Sequence, residues 1–337
     1  MAHTLTARAP GKLILSGEHS VVYGKPALAM AVNRYVTTTI SSQSPSEVFF
    51  DLLNLHYKRG HSLEKLRKLK HRLQDSFERF QQGEHGIREV LKKPFELLQY
   101  TATNIVDRLN ISMSQGIKIH SESTIPIGCG MGSSAATVVS TNHALSHFYH
   151  QPLLLQQHLD LGIDAENLQH GNSSGLDLRL AIQGGALLYC RGEIETRPEP
   201  KIPLRIVNTG TPLASTGEAV KHAAQFFNPA LLDQFSAVTY ALDAALIQNE
   251  FEQVLTCIAE NHYLLTQIAV VPEKVQAFIQ DLENRGMAGK ICGAGSPSGD
   301  AGGIVMIVGD GDIADLLDEY HYTEECIAYE AEGVRIV

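Results

Sequence analysis

The chain has 337 residues, of which 44% are hydrophobic and 19% charged, with a formal net charge of −10. That length can bury a large core and divide into two domains, and the acidic balance argues against extended nucleic-acid binding, which needs a basic footprint. No stretch approaches about 18 uninterrupted apolar residues, and "MAHTLTARAPG" lacks a basic head, apolar run and cleavage site, so a cytoplasmic protein with no membrane partner is expected. Five scattered cysteines (Cys129, Cys190, Cys257, Cys292, Cys326) with no CxxC pair speak against a disulfide framework and a thiolate metal site.

In chain order, "KLILSGEHSVV" and "YVTTTISSQ" read as strands, being β-branched and apolar between Gly and Pro. From Leu63 to Leu109 apolar residues recur every three or four positions, and Gly83 and Gly86 break the run into two helices. The basic "KLRKLKHRL" interleaves with that leucine stripe and reads as a solvated helix face rather than a nucleic-acid patch. "GIKIHSESTIPIG" reads as a strand entering "PIGCGMGSSAA", where Gly128, Gly130 and Gly132 precede Ser133 and Ser134. A helix follows, with Ser133 or Ser134 as its expected N-cap. A strand, a glycine turn and a helix start together offer free N–H groups and a positive dipole end, which is a phosphate cradle. Neither GxxxxGK[ST] nor GxGxxG fits its spacing.

Further on, "DLGIDAENLQH" reads as a helix and "LRLAIQGGALLY" as a strand. Between them Gly171 to Gly175 satisfies GxSxG, but a nucleophile elbow needs a strand before it and a helix after it, so the context is inverted. His143 and His147 share a helix face, yet Ala144 stands where a zinc metalloprotease helix needs Glu. After the charged connection "CRGEIETRPEPKIP", "LRIVNTGTP" starts a strand. Helical segments then span Thr216 to Phe227, Pro229 to Glu260 and Pro272 to Arg285 before "GIVMIVG". This mixture suggests strands and helices packed together in a second domain.

Three ordered motifs, "APGKLILSGEHSVVYGKPALA", the glycine loop and "AENLQHGNSSGLD", closely resemble those of the GHMP kinase family. The resemblance implies an α+β fold of two domains: an S5-like N-terminal domain over 1–200 that carries the ATP, magnesium and catalytic residues, and a ferredoxin-like C-terminal domain over 201–337. It implies ATP and Mg2+ as cofactors and a small-molecule hydroxyl as acceptor, with "GEHSVVYGKPALA" favouring mevalonate. Lys12 and Asp177 are then the catalytic pair; Gly128, Cys129, Gly130, Met131, Gly132, Ser133 and Ser134 wrap the triphosphate; Ser134 and Glu166 hold Mg2+; Glu18 and His19 shape the substrate end, and Thr209 aligns near the acceptor. The chemistry matches, since Mg2+ takes one or two carboxylates plus phosphate oxygens and phosphoryl transfer depends on positioning and charge neutralisation.

The third glycine motif departs from the family pattern, reading "GAGSPSGDAGG", which also resembles phosphomevalonate kinases and leaves phosphomevalonate as the alternative acceptor. A non-catalytic nucleotide sensor is the alternative from another class. If "GLDLRL" enters a strand, Asp177 and Arg179 share a face, and Arg179 could anchor a substrate carboxylate; a surface or ion-pair arginine is the equal alternative. A homodimer is left open.

Overall fold

The computed structural model describes residues 3–337 apart from Pro45, Ser114 and Ile127. Its elements run β1 (Thr4–Ser16), β2 (Ala27–Gln43), β3 (Val48–Leu52), β4 (Tyr57–His61), α1 (Leu63–Gln81), α2 (Glu96–Arg108), β5 (Gly116–Ser123), α3 (Ser133–Phe148), α4 (Leu155–His170), α5 (Leu176–Gln183), β6 (Ala186–Cys190) and β7 (Glu193–Arg197). A second series follows: β8 (Leu204–Asn208), α6 (Thr216–Ala223), α7 (Pro229–Gln248), α8 (Phe251–Gln267), α9 (Glu273–Glu283), β9 (Ala288–Cys292), β10 (Ile304–Val308), α10 (Ala314–Tyr320), β11 (Thr323–Glu325) and β12 (Arg335–Ile336).

The first sheet has the order β12-β1-β2-β5-β3-β4. β2 is 17 residues long, pairing β1 on one edge and, on the other, β5 along Val36–Gln43 and β6 along Ala27–Met30. β3 and β5 are parallel; the other pairings are antiparallel. The second sheet is antiparallel in the order β11-β8-β10-β9. With helices between β8 and β9 and between β10 and β11, this is the β-α-β-β-α-β arrangement of a ferredoxin-like unit. The chain end returns to the first sheet: Arg8 faces Arg335 across β1 and β12, and the Val337 N–H donates to the Thr6 carbonyl.

α1 explains its basic run. Ser62 accepts from the Lys65 N–H at its start, Leu66 and Leu73 are buried, and the cations turn outward, Arg67 and Lys70 to Asp107 and Arg72 to Glu96. The solvated-face reading holds.

Four expectations need correction. The strand predicted over "KLILSGEHSVV" ends at Ser16, and Ser20–Tyr23 form a 3-10 turn. The single helix expected from Pro229 to Glu260 is two, because Asn249 takes a left-handed conformation (φ 58°) that closes α7. The N-cap of α3 is Gly132, not a serine. The segment "LDLRLAIQ" is helix α5, not a strand. Leu176, Leu178 and Leu180 are buried in alternation as a strand would bury them, because this short helix packs against α3, α4 and β1 together.

Candidate active site

The glycine loop is shaped by what lies against it. Gly128, Gly130 and Gly132 all have positive φ, and a side chain at two of them would collide with the protein. A Cβ on Gly130 would stand 2.5 Å from the Cys292 carbonyl oxygen, and one on Gly132 would stand 2.9 Å from Cγ of Lys12. The loop is thus pressed onto β1 below and the end of β9 above, and the Lys12 N–H donates to the Met131 carbonyl at 3.0 Å. Cys129 and Met131 are buried beneath it.

Gly132 as cap moves both serines into the first turn of α3, where no side chain caps the free N–H groups. The Ser134 hydroxyl therefore does not cap; it donates to Oε1 of Glu166 on α4 at 2.6 Å. α5 likewise starts at a left-handed Gly175, with the Leu176 N–H donating to the Ser174 hydroxyl at 3.3 Å, and Asp177 lies in its first turn. The uncapped start of α3 leaves backbone donors free for anionic oxygens.

Between these elements Lys12 Nζ lies 3.5 Å from Asp177 Oδ1, the lysine almost enclosed and the carboxylate one-third exposed. Glu166 is buried, and burial pushes its carboxyl above the ordinary value; nearby His170 and the Ser134 hydrogen bond pull the other way, while the Asp177 charge adds to the rise. Lys12, Asp177, Ser134 and Glu166 form one constellation drawn from β1, α5, α3 and α4.

Glu18, His19 and Thr209 are held by the end of β9 and the third glycine motif. Glu18 and His19 are enclosed against β9: Glu18 pairs with Lys290, and the His19 Nε2 lies 3.0 Å from the Ala294 carbonyl. The Thr209 hydroxyl donates to the Gly303 carbonyl at 2.8 Å and accepts from the Gly302 N–H at 2.9 Å, so it ties the third glycine motif together. Arg179 does not share a face with Asp177, because residues two apart on a helix point about 200° apart.

Two sequence features resolve into structure. Gly171 to Gly175 connects helix α4 to helix α5, and its Ser173 hydroxyl accepts from the Gly175 N–H, so no strand presents a nucleophile there. His143 and His158 join nitrogen to nitrogen at 3.3 Å, and among the described residues no group of three or more His, Cys, Asp or Glu is arranged to hold a metal ion.

A cavity of about 330 Å³ opens beside Ser133 and Ser134, walled by Leu52, Leu55, Leu97 and Leu98 with Lys92 and Lys93 at its edge. Its walls come from segments some 80 residues apart, which is why no local motif announced it.

Comparison with known proteins agrees with this architecture. Residues 96–185 match the model of the GHMP kinases N terminal domain. A mevalonate kinase of Pyrococcus horikoshii is 31% identical over 308 residues, covering 88% of this chain and 87% of its own. One from Thermococcus gammatolerans is 30% identical over 303 residues, covering 86% of each. The crystal structure of the Methanococcus jannaschii mevalonate kinase superposes with a TM-score of 0.81 at 25% identity, over 97% of this chain and 99% of that one. The chain belongs to the GHMP kinase family and, within it, to the mevalonate kinases.

Proposed function

We propose that this enzyme transfers the γ-phosphoryl group of ATP to the primary hydroxyl of mevalonate, giving 5-phosphomevalonate and ADP. The observation that carries the reading is the Lys12–Asp177 pair set between the uncapped start of α3 and the first turn of α5. Asp177 accepts the hydroxyl proton as the acceptor oxygen bonds to phosphorus and the bond from phosphorus to the β-phosphate bridging oxygen breaks. The Lys12 ammonium orients that carboxylate and offsets charge on the phosphoryl group in flight. The donors of residues 128–134 hold the triphosphate, and the apolar cavity beside Ser133 takes the nucleotide base, with Lys92 and Lys93 near its phosphates.

Ser134 and Glu166 suit Mg2+: two hard oxygen donors 2.6 Å apart, the carboxylate buried and in need of a positive partner, at the helix start where phosphate oxygens would complete the coordination. When bound, the ion supplies charge neutralisation to the phosphates. Thr209 and Arg179 lack such support; the first braces the loop over the glycine motif, and the second stays a residue of α5.

Residues 1–200 form the nucleotide-binding unit and 201–337 the ferredoxin-like unit, with β12 crossing back to bind the first sheet. The compartment we assign is the cytoplasm, which suits five cysteines that form no disulfide among the described residues.

The test is ADP release with mevalonate, phosphomevalonate, galactose and homoserine. Mevalonate should give by far the highest kcat/KM. Turnover confined to phosphomevalonate would move the enzyme to that acceptor, and none with any acceptor would make it a nucleotide-binding sensor.

A further inference from the structure

Lys290, in the middle of β9, has no exposed surface. Its ammonium donates to the Glu18 carboxylate and, at 3.2 Å, to the Ile14 carbonyl of β1, 276 positions away in sequence. Two further contacts tie the end of β9 to this region: Cys292 Sγ donates to the Ile14 carbonyl of β1 at 3.4 Å, and the His19 ring, in the turn after β1, meets the Ala294 carbonyl. The turn carrying Glu18 and His19 is itself constrained. His19 has φ 59°, uncommon for a residue with a side chain, and a Cβ on Gly17 would stand 2.3 Å from the Pro26 carbonyl oxygen.

An enclosed ion pair is a weak stability device, because an apolar pair of similar volume often does as well or better. What the pair supplies is direction. Burial pushes the Glu18 carboxyl up and Lys290 is the main influence holding it down, with the Lys12 charge adding. One chain of charges therefore runs from the second sheet through Glu18 to the Lys12 side of the reacting centre.

We propose that Lys290 is a positioning residue for the acceptor: by holding Glu18 it fixes the turn Gly17–Ser20 against the second sheet, and so sets the substrate end of the site without touching substrate. This rests on the kinase reading above and on the resemblance by which Glu18 and His19 shape the substrate end.

Three variants test it: Lys290→Met, Glu18→Gln, and the two together, each assayed for acceptor KM, ATP KM, thermal stability and hydrogen exchange of peptides covering 17–24 and 128–136. In Lys290→Met the acceptor KM should rise about 10-fold or more, with ATP KM within about 2-fold. Exchange in 17–24 should quicken while 128–136 stays as in wild type. If that variant does not fold, the double variant carries the test, since it leaves no unpaired buried charge. It should recover thermal stability while keeping the raised acceptor KM and the fast exchange. A double variant with wild-type acceptor KM and exchange would overturn the proposal, as would KM values for ATP and acceptor rising in step. So would a raised acceptor KM with unchanged exchange in 17–24, which would mean that Glu18 acts by its own contact. Wild-type turnover is measured first: its absence with mevalonate counts against the acceptor assignment alone, while the exchange measurement still decides the role of Lys290.

Discussion

Gly132→Ala puts a methyl group where the structure has Cγ of Lys12. The new Cβ would sit 2.9 Å from that carbon, against an ordinary contact of about 3.5 Å, so Lys12 must give way by about 0.6 Å. The backbone cannot relieve this easily, because φ at 132 is 72° and the left-handed region costs an alanine about 1–2 kcal/mol. For a chain of this length the unfolding entropy at Tm is about 0.7 kcal/mol/K, so the backbone cost alone lowers Tm by about 2 °C. The catalytic cost is the larger effect. A misplacement of about 1 Å can cost about 100-fold, so a shift of 0.6 Å should lower kcat on the order of 10-fold. Single-turnover ADP formation at saturating ATP and acceptor, beside calorimetry, reads both quantities. A variant that lost the two degrees but kept wild-type kcat would show that the placement of Lys12 does not limit phosphoryl transfer, and the site built around it here would be wrong.

Asp177→Asn keeps the size of the side chain and removes its proton acceptor, so kcat should fall about 10²–10⁴-fold with nucleotide affinity little changed; retained turnover would remove Asp177 as the base. Ser134→Ala and Glu166→Gln should each raise the Mg2+ concentration for half-maximal rate, while Asp177→Asn should do so less; an unchanged requirement in both would leave the 2.6 Å pair as a structural hydrogen bond. Burial holds the His158 and His262 imidazoles down to about 4, so between about pH 6.5 and 4 the unfolded chain binds protons that the folded one refuses. Stability is then full above pH 6.5 and falls as the pH drops, by about 2–4 kcal/mol for the two together at pH 5. Urea melts at pH 7.5, 6 and 5 measure it, and a flat profile would mean that these rings are hydrated.

Much of the site was legible because its parts are local. Glycines at alternate positions followed by small polar residues have one economical physical use, a turn that exposes N–H groups at a helix start, and that turn is present at Gly128 to Ser134. Glu166 and Asp177 came from the resemblance of "AENLQHGNSSGLD" to the family motif, and the fold puts them on two consecutive helices joined by the glycine-bounded connection Gly171 to Gly175. The reading failed where burial erases periodicity: α5 buries Leu176, Leu178 and Leu180, so its alternation imitated a strand and put Arg179 beside Asp177.

The sequence by itself determined the glycine turn at the start of α3 and the α+β fold, because backbone chemistry and short-range spacing act within a few residues, while Lys12, Asp177, Ser134 and Glu166 were singled out by the resemblance of their motifs to the family. Tertiary structure alone decided which serine oxygen meets Glu166, how the cavity beside Ser133 is walled, and that Glu18 is held by Lys290 from 272 positions away. Those choices depend on which surfaces exclude water together once the two sheets close on the glycine loop, and no short stretch of the chain contains that information.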